Sequence, residues 1–191
     1  GWLKAKTPVT NQIGTSSGDD AFADKDIVFD WLAVDVPKGT SRLESLCMHV
    51  QGLHGARQAE KDFQVWIAKS VDGVAPPSLG TCNALVTGTG HRKHMLGVLL
   101  LDSTQSTGDC SPFNQFYSTN IVSSNGLINP SGSLIISPEP NSGTNVGYDK
   151  IYVAGLTMGA LDFSTGVLSS GAVSASASAV DITVKTVDAR R

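Results

Sequence analysis

The chain has 191 residues, of which 40% are hydrophobic and 16% charged, with a formal net charge of −3. That length supports a hydrophobic core without disulfide or metal staples, and the charge balance offers no global positive field to nucleic acid. No apolar run approaches the about 18 residues of a membrane-spanning helix, and the charged fraction lies below the roughly 25% of ordinary soluble domains.

Residues 1–26 scatter Trp2, Leu3, Val9, Ile13 and Phe22 among Lys, Thr, Ser, Gly and Asp without a period. This reads as an N-terminal arm or an irregular cover, with Trp2 and Leu3 as candidate anchors on a partner. The domain proper, residues 27–191, opens with the β-branched and aromatic run Ile27 to Val36, which ends at the turn Pro37-Lys38-Gly39-Thr40. Arg42 to Gln51 fits two periods. As a strand it places Leu46, Met48 and Val50 on one face; as a helix it aligns Leu43, Leu46, Cys47 and Val50, with Ser41 and Glu44 as a capping box. The neighbouring strands favour the strand.

Asp62 to Ser70 alternates, with Phe63, Val65 and Ile67 on one face and Gln64 and Trp66 on the other. Asp72-Gly73 and Pro76-Pro77 break the chain, and Thr81 to Thr87 is a short strand candidate. Met95 to Leu101 is continuously apolar and predicts a strand buried on both faces. Further candidates are Phe116 to Val122, Ser133 to Ser137, Lys150 to Met158 and Ala179 to Val187; the low-complexity stretch Ser174 to Ser178 suits a loop or a closely packed edge. About eight to ten short strands without βαβ alternation predict an all-β fold, an antiparallel β-sandwich of jelly-roll type with long loops.

The densest polar cluster is His91-Arg92-Lys93-His94. No carboxylate or Cys ligand stands at metal spacing beside the two histidines, so the segment reads as a basic, solvated loop able to contact an acidic partner or a phosphate. Gly88-x-Gly90 lacks the third glycine and the strand-to-helix context of a phosphate loop. No Gly-x-Ser-x-Gly elbow is present, and the acids Asp19, Asp20, Asp24 and Asp26 lack the EF-hand order. Cys47, Cys82 and Cys110, odd in number and without Cys-x-x-Cys, argue against a disulfide framework and a zinc site. Trp31 and Trp66 fall within strands and fit core packing better than ligand stacking. The expectation is a protein without catalytic, cofactor or metal residues.

One stretch carries a resemblance. Pro37-Lys38-Gly39-Thr40-Ser41-Arg42-Leu43-Glu44-Ser45-Leu46-Cys47-Met48-His49-Val50 resembles the early hairpin of structural proteins of tailed bacteriophages. The alternating Asp62 to Ile67, the strand Lys150 to Leu156 and the closing Val180 to Val184 follow in similar succession, over residues 35–187, while the segment around Gly73 to His94 departs from it. The likeness is to capsid decoration or cement proteins with jelly-roll domains. It implies a virion structural protein on the capsid surface, bound between major capsid protein subunits and without nucleic acid or membrane as direct partner; a closed oligomer, such as a trimer at a threefold position, suits a particle of that symmetry.

Two other readings compete. A carbohydrate- or receptor-binding β-sandwich, as in a phage fibre or tail tip, would use Trp31, Trp66, Tyr117 and Tyr152 as a stacking platform. A metal-dependent jelly-roll enzyme would need ligands beyond His91 and His94, and His49 and His54 are the chain's other histidines.

Overall fold

The structure is a computed structural model that describes residues 7–9, 21–51, 62–102, 107–111, 114–118, 134–140, 147–162 and 180–188. In chain order the strands are β1 (Thr7–Val9), β2 (Ala21–Phe22), β3 (Ile27–Asp35), β4 (Ser41–Gln51), β5 (Asp62–Ala68), β6 (Met95–Leu101), β7 (Thr107–Ser111), β8 (Asn114–Ser118), β9 (Ile135–Ile136), β10 (Lys150–Met158), β11 (Leu161–Asp162) and β12 (Val180–Asp188). One short 3-10 helix, Gly90–His94, is the helical element among the described residues. The chain is therefore all-β, as its β-branched runs and turn clusters predict. Trp2 and Leu3 lie outside the described residues, as do Ser174 to Ser178.

The strands form a four-stranded antiparallel sheet in the order β3-β10-β5-β6, a larger sheet in the order β1-β12-β4-β8-β7 with β9 also on β4, and a β2-β11 pair. The main apolar cluster draws on both larger sheets. Val28, Phe29 and Val34 of β3, Phe63, Val65 and Ile67 of β5, Leu99 and Leu101 of β6, and Ile151 and Val153 of β10 meet Leu43, Leu46 and Met48 of β4 and Ile136 of β9. Each large side chain so buried contributes about 1.5–3 kcal/mol. Phe22 of β2 enters the same cluster, and Thr7–Val9 pairs with Val180–Ile182.

Segment 41–51 is a strand, and its double period has a physical cause. Lys185 pairs with Ser45 but Thr186 pairs with Leu43, so Glu44 is an extra residue in β4. This β-bulge resets the alternation. Leu43 before it and Leu46 and Met48 after it all become buried, at a spacing that mimics a helical stripe. The same device acts in β3. Its register against β10 shifts twice, between Val153 and Gly155 and between Gly155 and Leu156, so that consecutive Val28 and Phe29 both join the main cluster.

Two expectations need correction. Met95–Leu101 is a strand, but it is not buried on both faces: Leu99 and Leu101 are buried while Val98 is 51% exposed, because β6 ends the sheet order and its outer face is only partly covered. Thr81 to Thr87 is not a strand. Asn83 takes a left-handed φ of 58°, which breaks extension, and Leu85 makes only an isolated bridge to Asp26.

A buried polar knot fixes the entry to β3. Thr157 Oγ1 donates to Ala23 O (2.7 Å) and accepts from Asp26 N (3.1 Å), while Ala23 N donates to Asp26 Oδ2 (2.7 Å). These bonds satisfy the backbone of a turn in which Lys25 holds φ 71°.

Candidate functional site

The four-stranded sheet has a second apolar face. Ile27, Ala154 and Leu156 are buried there with Leu79, and Trp31, Trp66 and Val86 pack against them, half-buried. What covers this face is the connection between β5 and β6, residues 69–94. The two strands it joins are direct neighbours, with Ala68 in register with Met95, so a tight turn would have sufficed to link them.

The connection is fastened along its length. It starts with a two-residue hairpin in which Val71 and Val74 exchange both backbone bonds (3.0 and 3.1 Å) around Asp72 and Gly73, at φ 55° and 73°. Two successive positive φ values are the mark of a type I′ turn, for which Asp-Gly is a favoured pair. The Glu139 carboxylate accepts from Gly73 N (3.1 and 3.0 Å to its two oxygens) and from Ser70 Oγ (2.7 Å). The Ser70 hydroxyl, above all, holds this carboxyl below its ordinary value, helped by backbone N–H groups and the Lys69 charge. Further along, Trp31 Nε1 donates to Pro77 O (3.0 Å) and Leu79 N to Asp30 Oδ1 (3.0 Å). Ile27 N donates to Ala84 O (3.0 Å), and Asn83 N donates to Ile27 O (2.9 Å). The bonds to Ile27 occupy part of the outer edge of β3, which ends the sheet order, and so blunt a surface prone to unwanted pairing.

The connection closes in the 3-10 turn that contains the basic cluster. His91 and His94 are buried; Arg92 and Lys93 are exposed. The segment is thus not the wholly solvated loop that its composition predicts: the turn points the two imidazoles inward and the two permanent cations outward. The His91 ring lies against the Trp66 indole, centroids 5.4 Å apart and planes tilted by 40°. Burial, then the Arg92 and His94 charges, push the His91 pKa down. His94 Nδ1 lies 2.9 Å from Lys69 O, and because a carbonyl only accepts, this nitrogen carries the proton. Lys69 N donates in return to His94 O (2.9 Å), so the pair clamps the two ends of the connection together.

Of the sequence candidates, His91, Arg92, Lys93 and His94 share one turn over Trp66, whereas Trp2 and Leu3 lie outside the described residues. The described members of the stacking platform are Trp31, Trp66 and Tyr152. Tyr152 is buried at 7% exposure, and Tyr117's side chain lies outside the described residues. Trp31 and Trp66 belong not to the main core but to the second face, with the Trp66 N–H bonded to Gln64 Oε1 (3.1 Å). Glu139 and Thr157 escaped sequence reasoning, since single polar residues far from their partners leave no local signal; only Asp72-Gly73, as a turn pair, pointed to the hairpin.

Chemically, the surface offers contact groups. Arg92 and Lys93 project from a fastened turn, with Val98, which pairs with Trp66, exposed on the adjacent strand. The Cys82 thiol donates to Val28 O (3.3 Å) and burial raises its pKa, which keeps it protonated. Among the described residues no three His, Cys, Asp or Glu side chains gather in metal-binding geometry, and no helix is long and apolar enough to cross a membrane. No family model, curated protein or solved structure matches this chain.

Proposed function

We propose that this chain is a virion structural protein of the capsid decoration or cement type. In this reading its two larger sheets stack as a jelly-roll-like sandwich that seats between major capsid protein subunits and stabilises the shell, with a trimer at a threefold position as the natural oligomer. The observation that carries the reading is the β5–β6 connection. It is a long segment tied to the sheet by backbone and carboxylate bonds from end to end, and it presents Arg92, Lys93 and the exposed apolar side chains Val74 and Leu85 without assembling reactive groups. A surface fixed in advance loses little entropy on docking, which is what a subunit that binds in many copies requires. The low charged fraction supports the same reading, because charged residues are depleted at the cores of protein interfaces.

The experiment is a count of copies. Purified particles from the source of this chain, digested and quantified by mass spectrometry, should contain it in fixed ratio to the major capsid protein. Particles lacking it should open at lower temperature. Absence of the chain from the particles removes the proposal.

Carbohydrate binding is the second reading, favoured by the half-buried Trp31 and Trp66 on the second face. Both indole N–H groups are already bonded within the chain, so such a site would use ring faces alone. A glycan array with no ligand would exclude it.

A further inference from the structure

The 3-10 turn is fastened at its end by His94 and Lys69, while its start has no side-chain cap. Its N-cap residue, Thr89, makes no side-chain bond to the helix, and every ionisable residue in the turn is basic. The backbone bonds closing the turn run from Arg92 N to Thr89 O (3.2 Å) and from Met95 N to Arg92 O. Just before it stands Gly88, at φ 79°, whose Cα faces open space, followed by exposed Thr89 and Gly90. A glycine in this region with room around it is a ready pivot. What keeps the turn down on the sheet is the pair of bonds between His94 and Lys69 at one end, the close approach of Gly90 to Pro77, and the packing of His91 on Trp66.

Burial and the neighbouring cations oppose a charge on the His91 ring and outweigh the attraction of the Trp66 ring for a cation. In register with Trp66 stand Ala154 on β10 and Val98 on β6, with Gln64 and Ala68 to either side along β5, none of them ionisable. The charge that acts on His91 beside that of His94 is Arg92, with Lys93 next to it on the turn, and the Asp30 carboxylate under the connection accepts from Leu79 N. His94 shares the turn. Glu139, at the other end of the connection, is committed to Ser70 and Gly73. Among the described residues no carboxylate pairs with either imidazole.

We propose that His91 is a proton-operated latch: neutral, it holds the Gly88–His94 turn over the Trp66 indole, and protonated, it releases the turn to pivot at Gly88 and bare Trp66 beside Val98. The direction of the response follows from linkage. The closed form binds the His91 proton less readily than the open form does. Closure is therefore fully favoured above the ordinary histidine value, about pH 6.5, and loses ground as the pH falls below it. Acid then converts a covered aromatic into an exposed apolar patch on the second face. The latch rests on packing within the chain and stands whether or not the virion reading holds.

The test follows the side-chain NMR signals of His91 and Trp66 in the full chain from about pH 8 to about pH 5. The expected result is a His91 midpoint below that of free histidine, a Trp66 indole shift with the same midpoint, and an indole N–H exchange that, relative to the intrinsic rate at each pH, is severalfold faster at the acid end. His91→Phe keeps a ring over Trp66 without a titrating proton, so its Trp66 signal should stay flat across the range. Arg92→Gln removes the neighbouring cation and should raise the His91 midpoint. A His91 that titrates at or above the free value overturns the latch, as does a Trp66 response that persists in His91→Phe. Should His91→Phe fail to fold, the wild-type and Arg92→Gln titrations decide alone.

Discussion

Gly155 on β10 lies under the ring of Phe29, its register partner on β3. A Cβ built on Gly155 would stand 2.2 Å from Phe29 Cε1, 2.6 Å from Cζ and 2.9 Å from Cδ1. Carbon atoms in contact sit about 3.5–4.0 Å apart, so Gly155→Ala forces the ring to move by about 1 Å or more. The ring has nowhere easy to go: it is 3% exposed and belongs to the main cluster. Overpacking of this kind costs about 1–3 kcal/mol. Against it stands the gain from replacing a strand glycine, about 0.5–1 kcal/mol. The balance is a loss of about 1–2 kcal/mol, or a fall in Tm of about 2–8 °C for a chain of this size.

Urea unfolding followed by circular dichroism measures this directly, with an unchanged m value as the sign that the compactness of the two states is preserved. The mechanism, not just the sign, is checked by the double variant. Phe29→Leu in the Gly155→Ala background removes the clashing ring edge and should recover part of the loss, with a coupling of at least about 0.5 kcal/mol. If Gly155→Ala is neutral or stabilising, or if the two substitutions simply add, the close approach of ring and glycine is not what that position requires.

The remaining expectations concern polar ties. Thr157→Val removes the hydroxyl shared by Ala23 O and Asp26 N and should cost about 1–3 kcal/mol in the same unfolding assay. Glu139→Gln should cost less than about 1 kcal/mol at neutral pH, because water screens the partly exposed carboxylate. Because the carboxyl is held below its ordinary value, its contribution is present above about pH 4.5 and fades as the pH falls through the folded value, so wild type and variant should converge in acid. Asp35→Asn breaks the ion pair with Lys150, but Asp35 is 75% exposed, so unfolding free energies should differ by less than about 1 kcal/mol and by less still in high salt. Replacing residues 70–93 by a tight turn should leave Ile27, Ala154 and Leu156 bare; dye binding and light scattering should both rise, and a clean monodisperse variant would show that the connection is not a needed cover.

Much of the β order was legible because burial of one face writes itself into a strand at period two. β5 is the clearest case: Phe63, Val65 and Ile67 are all buried, as their alternation predicts. β4 was ambiguous for a reason now visible in its register. Periodicity assumes an unbroken pleat, and the extra residue Glu44 breaks it, so the inward positions Leu43 and Leu46 fall three apart. β6 misled in the opposite way. A run with no polar residue was read as burial on both sides, but an apolar side chain records only that water is tolerated poorly there, and Val98 stands half in solvent.

The site was legible in its residues and not in its geometry, and the reason lies in the direction of contact. His91-Arg92-Lys93-His94 stands out as a basic cluster, yet composition cannot say that the turn sends residues 91 and 94 inward and 92 and 93 outward. That division is set by a second apolar face beneath the turn, and the face is invisible locally because its members, Ile27, Trp66, Leu79 and Leu156, come from three strands and a loop. The same fact explains why the β5–β6 connection is long. A sheet that is apolar on both faces must cover the second one, and this chain does so with the nearest available segment, fastened by Glu139 at its start and by His94 at its end. The basic cluster therefore carries two duties at once: its histidines close the cover, and its Arg92 and Lys93 form the cover's charged exterior. A change at His91 should alter what the outer surface presents even though His91 itself is scarcely exposed.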